Sequence, residues 1–485
     1  MPYAGYPSAI VYKTPGDTNK KNAVQNVIWG DWLNRLGPTE GKWVKVRVRG
    51  ETGWMQEDKI QKNRLLEIDF VDIGQGDGCL MVTPDDRFMI VDAGEGDNMH
   101  RFLHWRFSGF KKEFIFESAI ITHSDGDHYA GFEPLFKEPN ARFKTLYHNG
   151  IVERAGEDSL GPRTKWEKTT YLTDVIVDHK ALMRIINDPE KCEKKVYPNL
   201  LKLVSESGRV GEIRMLCSED GFLPGYGLDR DLSIRALGPV PEKGPNGERW
   251  LRWFQSPEKT KNGHSVVIQF RYKNVLILLG GDLNTLSERY LLKSYTGLDP
   301  EPKTPGGEEA LILAARRTFE SDIAKSCHHG SGDFTELYLQ AVNPSATIVS
   351  SGDDEPYSHP RPDTLGAIGK YGRGPRPLIF STELARSAKE NIKYPYLLRQ
   401  QIEGLALELD KAETEKDKKA ILKKLDEVTK TLERSIAVYG MINLRTDGEK
   451  VILAQKLEAP RSNAEKWDIH QLEPGPDGRL RYVED

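Results

Sequence analysis

The stretch Thr122-His123-Ser124-Asp125-Gly126-Asp127-His128-Tyr129-Ala130-Gly131 decides how this chain is read. It places four side chains able to bind a cation within six residues, directly after the apolar run Ser118-Ala119-Ile120-Ile121. Such a run reads as a buried strand, and a loop at its end can aim His123 and Asp125 at one point. Asp127 and His128, entering the next helix, can aim at a neighbouring point. Two adjacent sets of imidazole and carboxylate suit two divalent cations. A chance cluster of polar surface residues is the competing reading, and the density of the pattern argues against it.

Around this stretch, from Leu65 to about Pro375, apolar strand runs alternate with helical segments. Strands are expected at 66–71, 88–91, 119–122, 266–272, 275–279 and 346–350, and helices at 99–107, 285–294 and 334–341. That alternation implies an α/β layered architecture. Residues 153–228 carry more charge and less strand signal, and read as an insertion or elaborated connection. Upstream, residues 1–62 read as short alternating strands punctuated by Gly and Pro, a small antiparallel barrel. Gly30-Asp31-Trp32-Leu33, Lys42-Trp43-Val44-Lys45-Val46 and Thr52-Gly53-Trp54-Met55 resemble a bacterial SH3-like domain. Trp32, Trp43 and Trp54 read either as a groove for a protein or peptide ligand or, as the preferred reading, as the barrel's core and staple.

Downstream, Leu398, Ile402, Leu405, Leu409 and Ile421, Leu425, Val428, Leu432 recur at heptad-like steps around the charged break Glu413-Thr414-Glu415-Lys416-Asp417-Lys418. Residues 395–436 are therefore expected to form a helical hairpin, packed on itself, on the body, or on a second chain as an oligomer seam. This hairpin interrupts an α/β domain spanning 63–394, whose strands return at 437–458. The remaining residues, 459–485, read as a loosely held tail.

The metal motif resembles that of the metallo-β-lactamase fold superfamily, whose usual form is His-x-His-x-Asp-His, with Asp125 in place of the second histidine. Val71-Asp72-Ile73-Gly74-Gln75-Gly76-Asp77-Gly78, Ile90-Val91-Asp92-Ala93-Gly94, Asn262-Gly263-His264-Ser265-Val266-Val267, Leu279-Gly280-Gly281-Asp282-Leu283, Cys327-His328-His329-Gly330-Ser331 and Tyr357-Ser358-His359-Pro360 are similar, in order, to motifs of the soluble ComEC-like metallo-hydrolase subgroup. The resemblance covers residues 65–376 and implies a four-layer αββα sandwich. It implies metal ligation by His123, Asp125, Asp127, His128, His148, Asp282 and one of His328 and His329. It also implies roles for Asp127, Ser331 and His359 in catalysis, with His359 or Ser331 binding or protonating the departing oxygen. Asp72 and Asp92 are expected to hold ligand loops rather than touch metal. Zinc is the expected ion, and the harder carboxylate at Asp125 extends tolerance to manganese. A water shared between two such ions falls in pKa to about 7, which gives a nucleophile at neutral pH. The extra anion at Asp125 weakens the pull on a phosphate; Lys325, Arg361 and Arg373 are candidates to restore it. A phosphodiesterase or nuclease acting on DNA or RNA is the first reading, followed by an ester, lactone or amide hydrolase. A non-catalytic scaffold built on the SH3-like domain and hairpin is the third.

Composition narrows the classes. The 485 residues carry 69 Lys and Arg against 73 Asp and Glu, a net charge of -4, so any nucleic-acid contact must be local. No apolar run approaches the roughly 18 residues needed to span a bilayer, so no membrane role is expected. The beginning of the chain lacks a basic region followed by an apolar one. Four scattered cysteines make no disulfide framework, and a cytoplasmic location is expected.

Overall fold

The computed structural model describes residues 1–485 apart from 193–194, 353–356, 383–394, 413, 438–439, 458 and 485. Two large sheets face one another. The first has ten strands, with Val210–Met215 at one edge, Ala141–His148, Phe114–Ile120, Phe88–Ala93, Gly78–Val82 and Leu66–Phe70 next, and then Ile442–Thr446, Val451–Lys456, Trp467–Pro474 and Leu480–Tyr482. The second has six: Leu232–Gly238, Val267–Tyr272, Val275–Leu279, Ile323–Lys325, Ala346–Val349 and Leu378–Ser381.

Period-2 alternation explains how the sheets pack. Leu66, Ile68 and Phe70 on one strand meet Ile268, Phe270, Ile277 and Ile348 from the other sheet in one apolar cluster. The opposite faces point outward. Leu80, Val82, Ile90 and Leu146 pack with Phe102, Phe132, Leu182 and Tyr197 from helices. Val267, Leu278 and Ala324 pack likewise with Leu291, Leu311 and Phe319 on the other side. At about 1.5–3 kcal/mol for each large apolar side chain removed from water, these clusters dominate the stability of the body. The fifteen-residue helix Pro305–Phe319, capped by Thr304, escapes the sequence reading although it buries Leu311, Ala315 and Phe319.

Strand direction positions the site. Phe88–Ala93, Phe114–Ile120 and Ala141–His148 run parallel, as do Val275–Leu279, Ile323–Lys325, Ala346–Val349 and Leu378–Ser381. Their carboxyl ends therefore open at one edge of each sheet, the usual place for ligand loops in α/β sheets. The edges are joined where Val266 N–H donates to Thr122 O (2.9 Å).

The N-terminal strands Ser8–Tyr12, Ala23–Ile28, Asn34–Glu40, Trp43–Val48 and Glu51–Gln56 form a five-stranded antiparallel sheet. Its core is Val11, Val27, Leu33, Val44, Val46 and Met55, with no contribution from the three expected tryptophans. Trp32 is 52% exposed, and Trp43 and Trp54 are partly exposed. The aliphatic positions of alternating strands already fill so small a core. Trp29 is buried instead, against Leu65, Ile452 and Trp467, and joins this unit to the large sheet.

Residues 459–485 are not a loose tail. Trp467–Pro474 pairs with Val451–Lys456, and Leu480–Tyr482 completes the edge of the ten-stranded sheet. Leu472 and Leu480 are buried between the sheets. Residues 153–228 likewise supply the opposite edge strand Val210–Met215 and a small sheet made with Glu242–Lys243 and Arg249–Arg252. Helices Pro395–Lys411 and Glu415–Ala437 pack on each other, and the second also lies against helix Asn98–Arg106. The start of the returning strand at Val438-Tyr439 lies outside the described residues.

Candidate metal centre

Asp282 stands at the centre of the site. It follows strand Val275–Leu279 and is 2% exposed. Its Oδ2 lies 3.1 Å from His329 Nε2, 3.2 Å from His128 Nε2, and 3.9 Å from both His123 Nε2 and His328 Nε2. His128 Nε2 and His329 Nε2 are 3.3 Å apart. His123, His128 and Asp282 form one set of atoms close enough to share an ion; Asp127, His128 and His329 form a second, and Asp77, Asp282 and His329 a third.

The imidazoles are oriented from behind. His128 Nδ1–H donates to Asp92 Oδ2 (2.9 Å), and Asp92 also accepts from the Thr122 backbone N–H (2.8 Å) and hydroxyl (2.7 Å). His329 Nδ1–H donates to the Ser350 carbonyl (3.1 Å). His123 Nδ1 lies 3.1 Å from Thr122 Oγ1. These contacts turn the Nε2 atoms of His128 and His329 toward Asp282. Asp92, His328 and His329 have φ values of 54°, 48° and 53°, left-handed values rare outside glycine and concentrated where a site constrains the chain.

The electrostatics follow from the burial. Desolvation disfavours charge on His128 and His329, yet facing carboxylates, Asp282 foremost, outweigh it and hold both pKa values well above the ordinary histidine range. Burial likewise works against the Asp282 anion, but His128, His329 and His328 keep its carboxyl well below the usual value. Asp127 is lowered in the same way by His128 and His329. His123 Nε2 and Asp282 Oδ1 are buried and make no hydrogen bond. Imidazole nitrogens and carboxylates converging with such unused acceptor atoms fit a divalent cation.

Two expected ligands are not brought into these sets. His148 ends strand Ala141–His148 with Nδ1 accepting from Gly150 N–H (3.1 Å) and Nε2 buried without a partner. Burial alone lowers its pKa to about 4. Asp125 is 3.5 Å from His123 Nε2 and forms an ion pair with Lys261; burial opposes its anion, but His123 and then Lys261 bring its pKa down to about 2. Of the adjacent pair, His329 joins two sets and His328 joins none.

Sequence reasoning misses two participants. Asp77, which reads as part of a loop motif, lies 3.2 Å from His329 Nδ1, and its N–H donates to Asp127 O (3.2 Å). Lys325, expected only as a source of positive potential, is buried in an ion pair with Asp77, with Nζ 3.6 Å from Asp282 Oδ1. Its position as the last residue of a short parallel strand was the available signal. Arg373 is tied to Asp322 and Ser321 O away from the site. Above the centre opens a groove of about 1220 Å³ lined by Asp125, Asp127, Lys261, Asp282, His328, His329, Ser331, His359 and Arg361, among others. His359 thus reaches the groove, its ring 5.6 Å from that of His328.

No protein family model matches the chain. Over 323 residues it is 21% identical to ComE operon protein 3 of Bacillus subtilis (strain 168), covering 63% of this chain. The match spans 31% of that protein's length. Similar solved structures include Tm1679, a metal-dependent hydrolase of the β-lactamase superfamily, at 11% identity and TM-score 0.32, covering 65% of this chain and 95% of that one. Another is MEM-A1, a subclass B3 metallo-β-lactamase from a soil metagenome library, at 13% identity and TM-score 0.25, covering 56% and 82%. Among the described residues no helix is long and apolar enough to cross a membrane.

Proposed function

We propose that this chain is a metal-dependent hydrolase of the metallo-β-lactamase superfamily, with an αββα catalytic body and an SH3-like N-terminal unit, acting on phosphodiesters of nucleic acid. The convergence of imidazole Nε2 atoms on Asp282 Oδ2 carries the hydrolase reading. The ordered motifs from Asp72 to His359 and the match to ComE operon protein 3 support the family. Zinc suits the imidazole-rich set, with manganese as the alternative. His128, His329, Asp127 and Asp282 would hold the ion, with His123 beside them. Bound there, a divalent cation supplies Lewis acidity that brings the pKa of water from 15.7 to about 7. Asp92 and the Ser350 carbonyl keep the imidazoles in the tautomer that presents Nε2. Asp127, with its anion maintained by His128 and His329, accepts the proton lost by the attacking water. Ser331 and His359, on the groove wall, deliver a proton to the departing oxygen.

A second reading, hydrolysis of a small ester, lactone or amide, is favoured by the groove's acidic lining: Glu95, Glu258, Asp333 and Asp363 face Lys259, Lys261 and Arg361 there. Incubating the full chain with labelled single- and double-stranded DNA and with chromogenic ester and lactam probes, with zinc or manganese, separates the two. Cleavage of DNA that disappears in Asp127→Ala is the expected result. Cleavage of the small probes alone selects the second reading.

Asp92→Asn is expected to lower metal affinity by about 10–100-fold while leaving the fold intact, because it weakens the partner that fixes His128. Competition with a chromophoric chelator measures this; an unchanged affinity would contradict the orienting role.

A further inference from the structure

Asp125, expected as a ligand of one of two metal positions, is otherwise engaged. Lys261, on helix Pro257–Gly263, places its ammonium on Asp125 Oδ1 and, at 2.9 Å, on Glu153 Oε1. The neighbouring Asn262 amide, in the orientation that satisfies both its oxygen and its nitrogen, turns its N–H toward Asp125 Oδ2 (2.8 Å). Both oxygens of Asp125 therefore have donors, and His148 lies outside every set. His128 is common to the His123, His128, Asp282 set and the Asp127, His128, His329 set, and its Nε2 serves only one ion. With His128 given to Asp127 and His329, what remains around the other position is His123 and Asp282, fewer than the three protein ligands a catalytic zinc uses. By contrast, Asp127, His128 and His329 form a complete set, with Asp282 Oδ2 3.1–3.2 Å from its two imidazoles.

We propose that the centre holds a single divalent cation, on Asp127, His128, His329 and Asp282, and that the Lys261 ammonium on Asp125 supplies the second positive charge. This rests on the hydrolase reading and specifies its site. The exchange is electrostatically coherent. The ammonium lies between Asp125 and Glu153, so the three groups together carry one negative charge, and its contact with Asp125 opposes a second dication at that carboxylate. Lys261 is only 13% exposed at its side chain and is held between two carboxylates, so its charge stays in place. It also lines the groove beside Asp125, Asp282 and His329. An ammonium there is a point donor for an anionic substrate oxygen, the task a second ion would otherwise perform.

Metal stoichiometry tests this without reference to turnover. The full chain is stripped with chelator, reloaded with zinc or manganese, dialysed, and read by native mass spectrometry and elemental analysis. One tightly held equivalent is expected in the unaltered protein and in Lys261→Arg. Two are expected in Lys261→Met, which keeps the stem and removes the charge. Two tight equivalents in the unaltered chain overturn the single-ion centre and leave the hydrolase reading standing. A Lys261→Met protein that folds and stays at one equivalent overturns the role of the ammonium. A folded chain that takes up no metal removes the hydrolase reading and this inference together.

Discussion

Asp282→Ala is expected to abolish tight metal uptake and, under the proposed hydrolase function, to lower the rate of hydrolysis by about 10²–10³-fold, the cost of removing a preorganised charge from a buried reacting centre. The expectation follows from position. One oxygen of this buried side chain is the shared neighbour of four imidazole Nε2 atoms, two of them within 3.2 Å. Without the carboxylate, burial becomes a larger fraction of the balance on His128 and His329, and their pKa values fall from well above the histidine range. The imidazoles then face one another with no anion to gather them. Asp282→Asn, which keeps the shape and removes the charge, should lose nearly as much. Equilibrium dialysis and a circular dichroism spectrum distinguish loss of the centre from loss of the fold. Retention of full metal content by Asp282→Ala would defeat the assignment of this residue to the centre.

Gly76→Ala has a comparably large effect by a different route. Gly76 has φ 102°, and a Cβ built there would stand 1.7 Å from Asp127 O and 2.6 Å from its carbonyl carbon. Both atoms belong to the backbone of the metal loop, so no flexible side chain can yield. The adjoining hydrogen bond from Asp77 N–H to Asp127 O holds the two loops at that separation. Adding about 1–3 kcal/mol of backbone strain to about 1–3 kcal/mol of overpacking gives a destabilisation of about 2–6 kcal/mol. Because the displaced residues are Asp77 and Asp127, metal affinity should fall with stability. Urea denaturation and the chelator competition measure both quantities. A stability within about 1 kcal/mol of the unaltered chain, below the lower bound of that range, would mean that the two loops do not meet this closely.

The dense motif from His123 to His128 was legible because imidazoles and carboxylates crowded at the end of a buried strand suit a cation and little else. Asp282 and the His328-His329 pair, and their convergence with the His123 loop, were legible only through resemblance. Nothing in local spacing says that Oδ2 of Asp282, 154 residues after His128, lies 3.2 Å from its Nε2. Asp77 was hidden for the same reason: it reads only as part of a motif after the strand at 66–71, and packing against Asp127 brings it to the centre. The strand pair at 467–482 failed to announce itself because Pro474-Gly475-Pro476-Asp477-Gly478 dominates the local pattern, whereas those strands take their hydrogen bonds from an existing sheet edge.

By itself the amino-acid sequence determined the alternation of apolar strands and amphipathic helices, the loops that follow those strands, and the chemical types available at a cation site. Tertiary structure alone decided which of those donors remain free. Asp125 and His148 are suitable in kind, but an ammonium pairs with one, and the other, with a backbone N–H on Nδ1 and Nε2 buried without a partner, lies outside the sets around Asp282. The physical reason is that ligand identity is a local property, while charge compensation and desolvation depend on neighbours the chain brings in from far away.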